Sequence, residues 1–193
     1  MPLLMTGNPV QQVTQYKLLG VTINAARKWD DHVNVIKSKA AKRMWFLKKL
    51  KRAGVAKEHL AYFFQAVIRP ILEYACPAWH TSLTQEQSKL LENVQRRALQ
   101  IIVGNIPYEE ACRLFDLPTL AERRFSLCCS ALSGQISSES HVLHYLLPAK
   151  HDAQLASWLR STMKYPTVRA RTNRFKNSFI PYALSNFQRH LQS

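Results

Sequence analysis

Between Asp30 and Gly54 the residues Val33, Ile36, Ala40, Met44, Leu47 and Leu50 recur at every third or fourth position. That is the period of one face of an α-helix. The cations Lys37, Lys39, Lys42, Arg43, Lys48, Lys49, Lys51 and Arg52 fall among the remaining positions, and no acid falls between Asp31 and Glu58. A segment of this kind can fold in few ways. Its apolar stripe must be covered by other helices or by a sheet, and its basic side must stay in water or meet an anion. Asp30 or Asp31 is placed to cap the first N–H groups and oppose the helix dipole, and Gly54 to end the helix. Trp45 and Phe46 are expected to widen the apolar stripe.

The rest of the chain reads as helices after a short β element. Leu3–Thr6 is a brief apolar run before the turn signal Gly7-Asn8-Pro9. Val10, Val13 and Tyr16 are spaced for a short strand, and the run from Tyr16 to Ile23 is the strongest strand signal, ending at Asn24. A second helix is expected from Lys57 through Leu60, Phe63, Phe64, Val67 and Ile68. Pro70 should kink or break it, with a resumption through Ile71 and Leu72 up to Cys76-Pro77. This stretch is apolar almost all round and should form the buried centre. Thr84 with Gln87, and Thr119 with Glu122, are capping boxes that open helices. The first of these helices stops at Gly104, and a short helix spans Pro107 to Phe115. Gly134 to Ser140 reads as a polar connection, and His141 to Leu147 as a helical turn or two closed by Pro148. Residues 149–193 mix basic and polar side chains with scattered aromatics, Trp158 and Tyr165 among them, without a period. They read as an extended or loosely docked tail. The expected fold is mainly α: a small N-terminal β-hairpin, about five helices, and a basic, partly irregular C-terminal tail. The divisions fall at 1–28, 29–148 and 149–193.

The 193 residues carry 27 Lys and Arg against 12 Asp and Glu, a formal charge of +15. A second basic zone holds Arg160, Lys164, Arg169, Arg171, Arg174, Lys176 and Arg189, and no acid follows Asp152. Two uncompensated basic zones point to a polyanion, of which nucleic acid is the commonest. No apolar run is long enough for a transmembrane helix, and the N-terminus lacks the features of a signal peptide, so an intracellular, nuclear or cytoplasmic chain is expected. Cys76, Cys112, Cys128 and Cys129 form no C-x-x-C pair and read as free thiols. Cys76 with His80, and His141 with His144, have the spacing of two metal ligands on one helical face, but no matching second pair completes a zinc site. His80 reads as a residue at a helix end, and His144 as lying on a wet face. There is no P-loop, no G-x-G-x-x-G and no G-x-S-x-G. The adjacent acids Asp30-Asp31 and Glu109-Glu110 read as helix-start residues rather than a metal-binding pair. No cofactor is expected.

Several motifs in order resemble the reverse transcriptases of non-LTR, LINE-type retrotransposons. They begin with Tyr16-Lys17-Leu18-Leu19-Gly20-Val21-Thr22-Ile23, then Trp29-x-x-His32-Val33, then Ala40-x-Lys42-Arg43-x-x-x-Leu47-Lys48-x-Leu50. Val67-Ile68-x-Pro70-Ile71-Leu72-Glu73-Tyr74, Pro77-x-Trp79, Leu91-Glu92-x-Val94-Gln95-Arg96-Arg97-Ala98 and Ile101-Ile102-x-Gly104 follow. Leu117-Pro118-x-Leu120-x-x-Arg123-Arg124 and the run from Arg171 to Pro181 complete the series, over about residues 3–185. The resemblance implies a primer-grip hairpin involving Tyr16, Leu19 and Gly20, followed by a thumb and connector. It implies RNA or DNA backbone contacts with little sequence preference from Lys17, Lys37, Lys42, Arg43, Lys48, Lys49 and Arg52, and from Arg169, Arg171, Arg174 and Lys176 in the tail. Arg96 and Arg97 read as surface charges or, after those residues, as further contacts, and Trp45, Phe63, Phe64 and Trp79 as core rather than base-stacking, because they fall on apolar faces. The aromatic-x-D-D turn that holds the family's catalytic metals is missing from this sequence, so the expectation is a non-catalytic, truncated remnant. The stretch is also similar to one labelled as the N-terminal region of AlkB-type repair proteins and tRNA methyltransferases. The His-x-Asp pair of an iron dioxygenase does not occur here, nor does the Gly-rich turn of a methyltransferase. The alternatives are a structural or interaction protein, including a pseudogene product, and an enzyme of another type.

Overall fold

The computed structural model describes residues 4–6, 8–136, 138–150 and 165–187. Leu3, Gly7, Trp158, Arg160, Lys164 and Arg189, used in the reading above, lie outside them. The fold is mainly helical behind small N-terminal hairpins, as expected. Strand β1 (Leu4–Met5) pairs antiparallel with β2 (Asn8–Pro9). Strand β3 (Gln15–Leu18) pairs antiparallel with β4 (Val21–Asn24), with Tyr16 opposite Ile23 and Lys17 opposite Thr22. The stretch from Tyr16 to Ile23 is therefore a hairpin rather than one strand, and Val10 and Val13 lie outside any strand. The reversal falls at Leu19 and Gly20, with φ of 46° and 87°. Two successive positive φ values make the tight turn that matches the right-handed twist of the strands.

Gly20 is held there for a second reason. A Cβ built on it would stand 3.0 Å from Tyr74 Cε1, and the Tyr74 hydroxyl donates to the Leu19 carbonyl at 2.8 Å. Gly20→Ala should therefore displace Tyr74 and strain the turn, costing about 1–2 kcal/mol. The check is amide exchange at Thr22. Its N–H, which donates to His32 Nδ1 at 3.2 Å, should exchange faster in the variant, and unchanged protection would refute the account.

Helix α1 (Asp30–Arg52) buries His32, Val33, Ile36, Ala40, Met44 and Leu47. Its end is a Schellman turn, in which the Gly54 N–H donates to Lys51 O and the Val55 N–H to Leu50 O. Asp30 and Asp31 sit in the first turn, where they complement the dipole, but neither caps it. No side chain caps this helix. Their carboxylates are spent on tertiary contacts: Gln87 Nε2 donates to Asp30 Oδ1 at 2.8 Å, and Asn24 Nδ2 to Asp31 Oδ2 at 2.7 Å. These bonds tie α1 to the hairpin and to a later helix.

Pro70 does not break its helix. Helix α2 (Lys57–Phe63) runs into a π turn at Phe64–Ile68 and on into α3 (Arg69–Glu73). The Arg69 N–H reaches back five residues to Phe64 O. The wider turn gives room to the proline ring that an α-turn would crowd. The helix ends at Glu73 rather than near Cys76. Ala75 takes a left-handed φ of 51°, and short 3₁₀ turns follow at Cys76–Ala78 and His80–Ser82. Tyr62 and Tyr74 of this stretch are exposed, so it is buried on one side rather than all round.

Helices α4 (Gln85–Val103) and α6 (Leu120–Ser130) open with the expected capping boxes, Thr84 with Gln87 and Thr119 with Glu122. Helix α5 (Tyr108–Leu114) lies between them with Glu109 and Glu110 in its first turn. After α6 a π turn carries the chain through Gly134 to Ile136, so the polar connection begins later than the composition suggests. A single 3₁₀ turn, His144–Leu146, follows. The described part of the tail is irregular in places but not loosely docked. Helices α7 (Asn173–Lys176) and α8 (Phe179–Asn186) are the last elements among the described residues. Tyr165, Ala183, Leu184 and Phe187 are buried in the common core, and Phe187 meets Phe125 edge-on at 4.8 Å. The hydroxyls of Thr81 and Ser82 both donate to Asn177 O, at 2.8 and 2.7 Å.

Candidate nucleic-acid interface

Along α1 the apolar stripe faces the core, and the cations are divided among the positions left over. At 100° per residue, Lys37, Lys48 and Arg52 fall on the flank turned toward α4. Lys42 and Lys49 point outward, and Lys39 and Arg43 fall on the opposite flank. The flank toward α4 is concave. A groove of about 540 Å³ runs along the α1–α4 seam. Its walls carry Lys37, Trp45 and Lys48 from α1, and Leu90, Asn93 and Arg97 from α4, above a floor of Ala41, Met44 and Val94. A second hollow at the same seam is lined by Lys48, Lys51, Arg52 and Ile101. No acid lines either one.

The structure thus brings Lys37, Lys48 and Arg52 together with Lys51, which the resemblance did not single out, and with Arg97, which it placed after the others. The signal for Arg97 is present in the sequence: Leu90, Asn93, Val94 and Arg97 step by three and four along one face of α4. Arg96 faces elsewhere, with its guanidinium 4.7 Å from the Tyr108 ring centroid. Lys17 is exposed on β3, and Tyr16 and Leu19 are exposed beside it. Arg174 donates to Ala26 O at 3.2 Å, which places it against the hairpin's exit rather than at the α1–α4 seam. Arg169, Arg171 and Lys176 are exposed, and neither groove at the seam is lined by them.

Two aromatic expectations are corrected. Trp45 is 55 % exposed and Phe46 is also exposed. Trp45 stands at the solvent edge of the α1–α4 groove, and neither ring is covered by the core. Trp45 packs edge-on against Phe46 with ring centroids 5.0 Å apart, and Lys49 Nζ stands 5.2 Å from the Trp45 centroid. Phe64 and Trp79 are fully buried, and Phe63 packs against the core.

The buried polar groups are structural. Glu92 of α4 accepts from the Leu120 and Ala121 N–H groups at 3.0 and 3.1 Å, so it serves the free N-terminus of α6, and it also accepts from the Tyr108 hydroxyl. Burial, reinforced by this carboxylate, pushes the Tyr108 hydroxyl well above its ordinary pKa. Gln95, fully buried, donates to Tyr108 Oη and Pro118 O, both at 2.9 Å. Arg124 is fully buried; its Nε donates to His80 Nδ1 at 3.3 Å and its Nη2 to Ser88 Oγ at 3.0 Å. Burial, and then the Arg124 charge, push His80 down to about 4. His80 lies in its 3₁₀ turn with Nδ1 engaged by a cation, which is no posture for a metal ligand. Among the described residues no group of three or more His, Cys, Asp or Glu is placed to hold a metal ion, and the four cysteines are free thiols. Nor is any helix among them long and apolar enough to cross a membrane. Comparison with protein-family models, curated proteins and solved structures returns no match to this chain.

Proposed function

We propose that this chain binds the backbone of RNA or DNA with little sequence preference. In this reading it is similar to the thumb and connector of a LINE-type reverse transcriptase. The observation that carries the proposal is the α1–α4 seam, where Lys37, Lys48, Lys51, Arg52 and Arg97 surround two hollows that no acid lines. Like charges gathered on rigid helices repel one another, and a polyanion relieves that repulsion while releasing its own counterions. A helix face bearing flexible cations can follow phosphates without reading bases. The ordered motifs, and a hairpin whose turn sits at Leu19-Gly20, support the family part of the reading.

The test is binding of the purified chain to a labelled RNA–DNA primer–template across a range of salt concentrations. Log affinity should fall linearly with log salt. Changing Lys37, Lys48, Arg52 and Arg97 together to Gln should weaken binding tenfold or more, with the slope shrinking by about 0.7–0.9 for each phosphate no longer neutralised. Lys39→Gln with Arg43→Gln, on the opposite flank, should do much less. No binding at low salt by a folded chain, or a flat salt dependence, would sink the proposal. A protein-interaction role would then lead, because Tyr16, Leu18 and Leu19 leave apolar surface exposed on the hairpin.

A further inference from the structure

The groove at the α1–α4 seam holds more than charge. Trp45 stands on its wall, over half exposed, between Lys37 toward one end of α1 and Lys48 toward the other. Those two lysines are eleven residues apart, about 16 Å along the helix axis, and Arg97 faces them from α4. Phe46 packs against the indole edge-on, and Lys49, which does not line the groove, sits over the ring. An exposed aromatic plane between cations is the arrangement that captures an unpaired base between its phosphates.

We infer that this groove takes an unpaired nucleotide, its base stacked on Trp45 and its flanking phosphates on Lys37, Lys48 and Arg97. The inference rests on the backbone-binding reading above and adds a preference for single-stranded segments. Charge complementarity and shape favour this occupant over an acidic amphipathic helix. Met44 and Val94 of the floor are almost wholly buried, so a helix laid there would cover little apolar surface beyond Trp45, Ala41 and Leu90. The volume suits a compact ligand, not a long trough.

The experiment compares oligo(dT) with an abasic oligonucleotide of equal length, which keeps the phosphates and lacks the bases. The wild-type chain should bind oligo(dT) more tightly. Trp45→Ala should remove that difference, a loss of about 5- to 100-fold for one stacked base, while leaving abasic binding and its salt slope unchanged. Trp45→Phe should restore part of the difference. Quenching of indole fluorescence on adding oligo(dT) should shrink in Trp45→Phe.

Equal wild-type affinity for the two oligonucleotides, with a steep salt slope for both, would overturn this inference and leave the backbone reading standing. Failure of both to bind a folded chain would overturn the two together. An acidic amphipathic peptide that perturbs Trp45 while oligo(dT) does not would overturn it in favour of a protein partner.

Discussion

Trp79→Ala should lower the unfolding free energy by about 3–5 kcal/mol, the cost of emptying a large aromatic site in a core that cannot collapse onto it. Trp79 is fully buried. Its ring stands edge-on to His32 at 5.4 Å, and His32 is in turn edge-on to Trp29 at 6.0 Å. Its Nε1 donates to Tyr74 O at 3.0 Å, fixing the chain where α3 ends. One side chain thus joins the irregular segment after α3 to the start of α1, and through His32 to the hairpin. A domain of this size has only about 5–15 kcal/mol to lose, so the variant should be largely unfolded at modest urea. Trp45→Ala is the matched control. The same residue type is deleted from a half-exposed site, and the change should stay within about 0.5–1 kcal/mol. Urea unfolding followed by circular dichroism gives both numbers. A Trp79→Ala chain as stable as wild type, or a Trp45→Ala chain equally damaged, would refute the assignment of core and surface.

The second large effect is acid lability. His80 titrates near 4 in the folded chain, because burial and then the Arg124 guanidinium disfavour its cation. An unfolded histidine titrates near 6.5. Between these values the unfolded chain binds the proton and the folded chain does not, so stability is complete above about pH 6.5 and drains away as pH falls toward 4. At about 1.4 kcal/mol per unit, the loss from this group is on the order of 2–3 kcal/mol by pH 4. His32 is depressed in the same direction, by burial first and then by Lys39. Its Nδ1 accepts the Thr22 N–H, so protonation there also costs the hairpin a bond. The measurement is thermal unfolding from pH 7 to 4 for the wild type and for His80→Gln. Carboxylates titrate in both chains, so the difference between the two curves isolates the histidine. The gap should change by 2–3 kcal/mol across pH 6.5 to 4, and parallel curves would refute the assignment.

Local signals are legible in the chain. The two capping boxes, the stop at Gly54 and the stop at Gly104 are decided within a few residues, so their chemistry is visible without the fold. The six-residue stripe on α1 faces the core for the same reason, since a 3.6-residue period leaves no other side to bury. Sequence and structure part where a distant partner decides. The β-branched run of Tyr16 to Ile23 hides the turn, because Leu19 in a positive φ is carried by Gly20 and by the Tyr74 hydroxyl 55 residues away. Asp30 and Asp31 have the composition of caps, but Gln87 and Asn24 claim their carboxylates. Pro70 signals a break that a π turn absorbs.

What the sequence determined by itself is helical class, the limits of α1, α4 and α5, the start of α6, and a strong positive charge with one dense zone on α1, because each follows from spacing or composition over a few turns. What only the tertiary structure decided is which side chains of that helix act together. Placing α4 beside α1 gathers Lys37, Lys48 and Arg52 with Arg97 and leaves Arg43 on the far flank. It also leaves Trp45 in solvent, while Trp79 is closed in between α1 and the segment after α3. A helix's own periodicity defines its faces, but a face becomes core or groove only through the neighbour that covers it, and that neighbour comes from far along the chain.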